Sequence, residues 1–142
     1  MTDVVVVDGA RTAHGSLLGG FADLGAVDLG RAALDGLLDR VDLDPAAVDY
    51  VTVGQALQAA VGQVPGRQAA YASQLPKEVP ATTVNEASGS GVRALMAARD
   101  HLVAGRGEFA VAGGMESMTN APYAVPDHRK GRRYGEAPSG TR

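Results

Sequence analysis

Ser88 stands where a strand-like run ends and a helical pattern begins, in Val84-Asn85-Glu86-Ala87-Ser88-Gly89-Ser90-Gly91 followed by Val92 to Ala98. The first N–H groups of a helix have no intrahelical partner, and the macrodipole favours negative charge there. A hydroxyl and a backbone N–H at such a corner suit a nucleophile and an oxyanion. The same pattern suits a serine, Ser88 or Ser90, that only caps the helix. Local pattern leaves both readings open.

A serine nucleophile needs a base within hydrogen-bond reach. The chain has three histidines: His14, His101 and His128. His101 lies on the same helical pattern as Ser88 and 13 residues further on, roughly 20 Å along the axis at about 1.5 Å per residue. That separation rules it out as a base within one chain and assigns it a surface role. His14 sits in the loop after the first apolar run, where sequence neither brings it to Ser88 nor keeps it away. His128 falls in a Pro- and Gly-rich tail and reads as solvated. Glu116, in Gly113-Gly114-Met115-Glu116-Ser117-Met118, has a carboxyl suited to acid or base work but no partner by spacing. The two methionines around it read as packing.

Other chemistries lack their residues. No two histidines have ligand spacing, and there is no cysteine for a thiolate, a disulfide or a thiolate-bound zinc. The 19 glycines form no Gly-x-x-x-x-Gly-Lys-Ser/Thr loop and no Gly-x-Gly-x-x-Gly after the first strand. Positions 86 and 90 are Glu and Ser rather than Gly, so Ser88 does not sit in an esterase elbow.

The elements that must hold this corner are those of one domain. The chain has 142 residues, 45% of them hydrophobic and 20% charged, with few aromatics, so its core must be Val, Leu and Ala. No apolar run reaches the roughly 18 residues of a membrane span, and Met1-Thr2-Asp3 lacks a basic leader. A cytoplasmic location is the expectation. Residues 1–60 carry nine Asp against three Arg, and residues 61–142 carry ten Lys and Arg against seven Asp and Glu. The positive charge concentrates in Arg129-Lys130-Gly131-Arg132-Arg133, which is neither a broad basic face nor interleaved with aromatics beyond Tyr134. No nucleic-acid partner and no membrane partner is expected.

Val4-Val5-Val6-Val7 reads as a strand buried on both faces. Apolar positions from Val27 to Val41 recur at helical spacing, and Asp44-Pro45 opens a short helical turn. Strands are expected at Val48–Val53, Ala81–Asn85 and Phe109–Ala112, the last stopped by Gly113-Gly114. Helices are expected over 65–73 and 89–103, the latter gathering Val92, Leu95, Met96, Leu102 and Val103 on one face. Strands alternating with helices predict an α/β fold, with a mostly parallel sheet and helices on its faces. From Asn120 onward the periodicity stops, so residues 1–119 read as the core. Residues 120–142 read as a disordered tail or the start of a region this chain does not finish.

Three segments, in order and spacing, resemble the thiolase family of acyl-CoA C-acyltransferases. Residues 84–91 resemble its Val-Asn-x-x-Cys-Gly-Ser-Gly signature, with Ser88 at the cysteine position. Residues 113–118, with Asn120-Ala121-Pro122-Tyr123, match its Gly-Gly-Met-Glu-Ser-Met segment. Gly54-Gln55-Ala56-Leu57-Gln58-Ala59, followed by residues 62–69, resembles a third stretch, and Arg11-Thr12 also fits.

The resemblance implies the N-terminal half of a layered thiolase-like fold and a Claisen condensation of acyl-CoAs or its reverse. Coenzyme A thioesters would be substrates, with no bound cofactor. Ser88 would accept the acyl group, and its N–H would help form an oxyanion hole. The catalytic histidine, a proton-shuttling cysteine and most coenzyme A contacts of such enzymes come from a second half with no counterpart here. The resemblance thus implies a homo-oligomer, or a hetero-oligomer with a chain supplying that half. Residues 120–142 would begin the loop region, with their basic cluster near coenzyme A phosphates or solvated. A serine in place of the cysteine also fits a second expectation, a non-catalytic thiolase-like partner or truncated product.

Overall fold

The computed structural model of the chain describes residues 3–124. His128, the basic cluster and nearly all of the tail segment lie outside the described residues.

Three parallel strands, β1 (Tyr50–Gly54), β2 (Ala81–Val84) and β3 (Ala110–Gly114), form a sheet in the order β2-β1-β3. Three helices accompany them: α1 (Ala26–Leu38), α2 (Pro65–Ala72) and α3 (Ser90–Val103). The alternation and the parallel pairing are as the sequence predicts. The register decides where the strands stop. Gly54 pairs with Val84 on one side and with Gly114 on the other, so all three strands end level at one edge. The segments starting at Gln55, Asn85 and Met115 therefore leave the sheet side by side.

Successive residues of a strand face opposite sides, and β1 divides its contacts accordingly. Val51 and Val53 join a core with Leu34, Leu38, Ala69, Ala70 and Leu75, supplied by α1, α2 and the turn after α2. In α1 the buried positions are Ala26, Gly30, Leu34 and Leu38, a spacing of four along one stripe. Gly30 is packed so closely on Ala69 and Met115 that a side chain there would meet the methionine sulfur. Met115 is thus a core residue, whereas Met118 is 60% exposed. Between α1 and β1, Asp44 caps a 3₁₀ turn, Pro45–Ala47, by accepting from the Ala46 N–H at 2.9 Å.

The opposite side of the sheet carries α3, and here the structure departs from the sequence reading. The face of α3 turned inward is Ser90, Ala94 and Ala98. Val92, Leu95, Met96 and Val103, grouped by spacing as an apolar face, are 64%, 51%, 50% and 42% exposed. Periodicity identified a stripe but not the direction it faces. Small side chains let the helix lie close to the glycine ends of β1 and β3, and the bulky stripe points away.

A second departure concerns Val4-Val5-Val6-Val7. This run forms no strand, and Val5, Val6 and Val7 are 75%, 84% and 76% exposed. A β-branched run encodes an extended backbone, but a strand needs a partner, and none of the three described strands pairs with it. The segment is fixed just beyond, where Asp8 meets Arg40 at 3.2 Å after the end of α1. At the other margin, Gly113 and Gly114 do not stop β3 but are its last two residues.

Asp49 ties the start of the sheet together. Its carboxylate accepts from the N–H of Glu108 at 2.7 Å and of Phe109 at 3.1 Å, just before β3. These donors favour the ionised form and hold the Asp49 pKa below its ordinary value, the Glu108 N–H contributing most. A carboxyl pKa lowered by folding stabilises the fold above the ordinary carboxylate range, and that contribution is lost as pH falls through the folded value. Asp49→Asn should therefore lower the urea midpoint at pH 7 and leave a shallower acid limb than wild type. Parallel pH profiles for the two proteins would refute this.

Candidate active site

The level strand ends create a site. An open cavity of about 780 Å³ is lined by Gly54, Gln55 and Ala56 at the end of β1, by Ala87 and Ser88 after β2, and by residues 114–119 at the end of β3. The loop of residues 10–17 closes another side and brings Arg11 and His14 to the same space. Ligands of parallel α/β sheets bind at the carboxyl ends of the strands. The cavity occupies that position.

Ser88 lies in the tight turn between β2 and α3, and it is exposed. The turn is built by its neighbours. Gly89 N–H donates to Glu86 C=O at 2.9 Å and Ser90 N–H to Ala87 C=O at 3.1 Å. Ser90 Oγ accepts from Glu86 N–H at 2.9 Å and donates to Ala87 C=O at 2.6 Å. The serine spent on holding the turn is therefore Ser90, which is 4% exposed. Among the described residues the Ser88 hydroxyl has no hydrogen-bond partner, while its backbone forms an isolated bridge with Glu86. Neither serine caps α3 through its side chain: the N-cap is Gly89, and no side-chain hydrogen bond closes that end. Ala87, just before Ser88, has a φ of 49°, a left-handed conformation that a Cβ disfavours.

Glu116, unpartnered by sequence, is a clamp. Its carboxylate accepts from the N–H of Ala56 at 2.8 Å and of Leu57 at 3.2 Å, tying the segment after β3 to the one after β1. Asn85, which sequence reasoning passed over, links the same segment to the serine turn. Its side chain donates to Ala56 C=O at 2.8 Å and accepts from Ala87 N–H at 2.9 Å. The available signal was its place directly after a strand, at the fixed Asn of the Val-Asn-x-x-Cys-Gly-Ser-Gly pattern. Ser117 and Asn120 bind Leu24 C=O at 2.9 Å each, and Thr119 Oγ1 accepts from Leu18 N–H at 2.9 Å, so residues 117–120 hold the wall formed by the loop before α1.

The structure brings His14 to the cavity of Ser88, which sequence could not decide, although no hydrogen bond joins them among the described residues. His101 stacks on Tyr50 with ring centroids 4.2 Å apart, at the far end of α3. No group of three or more His, Cys, Asp or Glu residues able to hold a metal occurs among the described residues. No helix of the described residues is long and apolar enough to cross a membrane.

A parallel α/β sheet whose strand ends present an exposed serine corner to an open cavity has its candidate ligand site where such sheets bind their ligands. The chain belongs to the thiolase family: the family model described as thiolase, N-terminal domain, matches residues 4–139. The acetyl-CoA acetyltransferase of Cupriavidus necator is 45% identical over 137 residues, which is 96% of this chain and 35% of that protein. That of Schizosaccharomyces pombe is 43% identical over 94% of this chain and 34% of its own length. That of Pseudomonas aeruginosa is 46% identical over 96% and 35%, respectively. The chain thus spans about a third of the length of these curated relatives.

Proposed function

We propose that this chain is the nucleophile-bearing part of a thiolase-type acyl-CoA C-acyltransferase, with Ser88 as acyl acceptor. The observation that carries this is the Ser88 corner, whose exposed hydroxyl has no partner among the described residues and lines the cavity at the strand ends. In the first half-reaction Ser88 Oγ attacks the thioester carbonyl carbon and its proton passes to a base. The C–S bond breaks, and coenzyme A leaves as its thiol after taking up a proton. In the second, a base removes an α-proton from another acyl-CoA. The resulting carbanion attacks the ester carbonyl, a 3-ketoacyl-CoA forms, and Ser88 Oγ departs and is reprotonated. Thiolysis is the reverse. The Ser88 N–H would stabilise the oxyanion in both, a contribution typically of ~10²–10³ in rate.

The carbon-acid base and the coenzyme A site come, on this reading, from polypeptide outside the described residues or from a partner chain. The exposed stripe Val92, Leu95, Met96 and Val103 supports it, because an outward apolar face on the helix behind the nucleophile suits coverage by further protein. Residues 120–142 would open the loop region leading there. A soluble cytoplasmic homo-oligomer or hetero-oligomer, with acyl-CoA as substrate and no resident cofactor, completes the proposal. Intact-mass measurement of the full-length gene product after incubation with acetyl-CoA tests it. One acetyl group should be gained by wild type and none by Ser88→Ala, and an unmodified wild type sinks the proposal.

A second reading has its own support. No base is hydrogen-bonded to Ser88 among the described residues, and a hydroxyl is a poorer nucleophile than the thiol of the family signature. The chain would then be a non-catalytic thiolase-like partner that binds without turning over.

A further inference from the structure

We infer that Asn85 and Glu116 are positioning residues for Ser88, acting through Ala56. The inference rests on the proposed acyl-acceptor role of Ser88 for its catalytic meaning, but its geometry stands on the hydrogen bonds alone. Ala56 is gripped at both ends of its backbone: its N–H donates to Glu116 at 2.8 Å, and its C=O accepts from Asn85 at 2.8 Å. The same Asn85 amide accepts from Ala87 N–H at 2.9 Å. One donor and one acceptor are thus both used, which fixes the amide orientation.

A continuous path runs from the segment after β3, through the segment after β1, to the residue preceding Ser88. Each of the three strands contributes its carboxyl end to it. Such a brace is needed because Ala87 adopts a left-handed backbone at φ 49°. A residue with a Cβ relaxes from that conformation unless its surroundings hold it. Ser90 holds the turn from the helix side. Asn85 and Glu116 hold it from the sheet side, and they fix the direction in which the Ser88 hydroxyl enters the cavity.

The test uses the full-length gene product with Asn85→Asp, Glu116→Gln and the double variant. Asn85→Asp keeps an acceptor for Ala87 N–H but loses the donor to Ala56 C=O; Glu116→Gln replaces one of two acceptors by a donor facing an N–H. If Asn85→Asp fails to fold, Asn85→Ser serves instead, because its shorter side chain still reaches Ala87 N–H but not Ala56. Hydrogen-exchange mass spectrometry over residues 86–90 should show exchange faster by about tenfold in each single variant, the loss of about one hydrogen bond. The maximal rate of Ser88 acetylation should fall by about tenfold or more with the half-saturating acetyl-CoA concentration unchanged, since orientation rather than binding is lost. The double variant should fall little below the worse single one, because both act on one path. Unchanged exchange over 86–90, a rate loss seen only as weaker half-saturation, or multiplicative effects in the double variant would each overturn the inference. An unacetylated wild type would defeat the proposed function instead, and the exchange data and their coupling would still decide the positioning role.

Discussion

Ser88→Cys should raise the rate of acetylation from acetyl-CoA on the order of 10²–10⁴-fold, the range that a positioned general base ordinarily supplies. The expectation follows from what surrounds the hydroxyl. Ser88 lies in the turn before α3 and has no hydrogen-bonded base among the described residues. With no base already hydrogen-bonded to it among the described residues, a serine in that position starts from a fully protonated hydroxyl. A thiol is a few per cent ionised near neutrality without any base, and the N-terminus of a helix lowers its pKa further. The cysteine variant should accordingly gain rate as pH rises and level off below the ordinary thiol pKa. Stopped-flow release of coenzyme A, read across pH for both proteins, measures the difference. Equal rates would mean that a base already serves the serine, and His14 is the imidazole that shares its cavity. That outcome would end the case for a non-catalytic thiolase-like partner.

How much of this site could be read from the sequence depends on what each residue needed. The turn at residues 86–90 was legible because small residues between a strand run and a helix run leave few alternatives. The helix over 26–38 was legible because Leu34 and Leu38 repeat at its period and face the core. Two failures have a common cause. Val4 to Val7 carry the composition of a strand, and Val92, Leu95 and Met96 the spacing of a buried face, yet both groups are largely exposed. Composition and period describe what a segment prefers, whereas burial depends on which other segments are present to cover it. The partners of Glu116, and any role for Asn85, were missed for a different reason. Their partners are backbone groups of Ala56, Leu57 and Ala87. The Ala56 and Leu57 contacts exist only because the parallel register ends all three strands at one level. Side-chain spacing carries no record of such contacts.

The same register makes Gly54 the position at which a single methyl group should do the most damage. Gly54 is the last residue of β1, buried, and its C=O accepts from Met115 N–H at 3.0 Å. A Cβ built there falls on the carbonyl group of Ser90 and lies 2.7 Å from the Gly91 nitrogen. Those are backbone atoms in the first turn of α3, so no side-chain rotation can yield. Either β1 or the start of α3 must shift. Gly54→Ala should cost about 3 kcal/mol or more, at or beyond the upper end of ordinary overpacking. Any folded fraction should lose Ser88 acetylation, because the turn that moves is the one carrying Ser88. Gly36→Ala supplies the control. Gly36 lies inside α1, and an added Cβ there meets nothing within 4 Å. It should stabilise by about 0.5–1 kcal/mol through helix propensity alone and leave acetylation intact. Urea denaturation of the two variants, with acetyl transfer measured on each, separates a glycine required by close approach from one that is merely tolerated. Equal stability of both would mean that α3 can lift from the strand ends without penalty, and the close packing of helix on sheet could not then be what sets the position of Ser88.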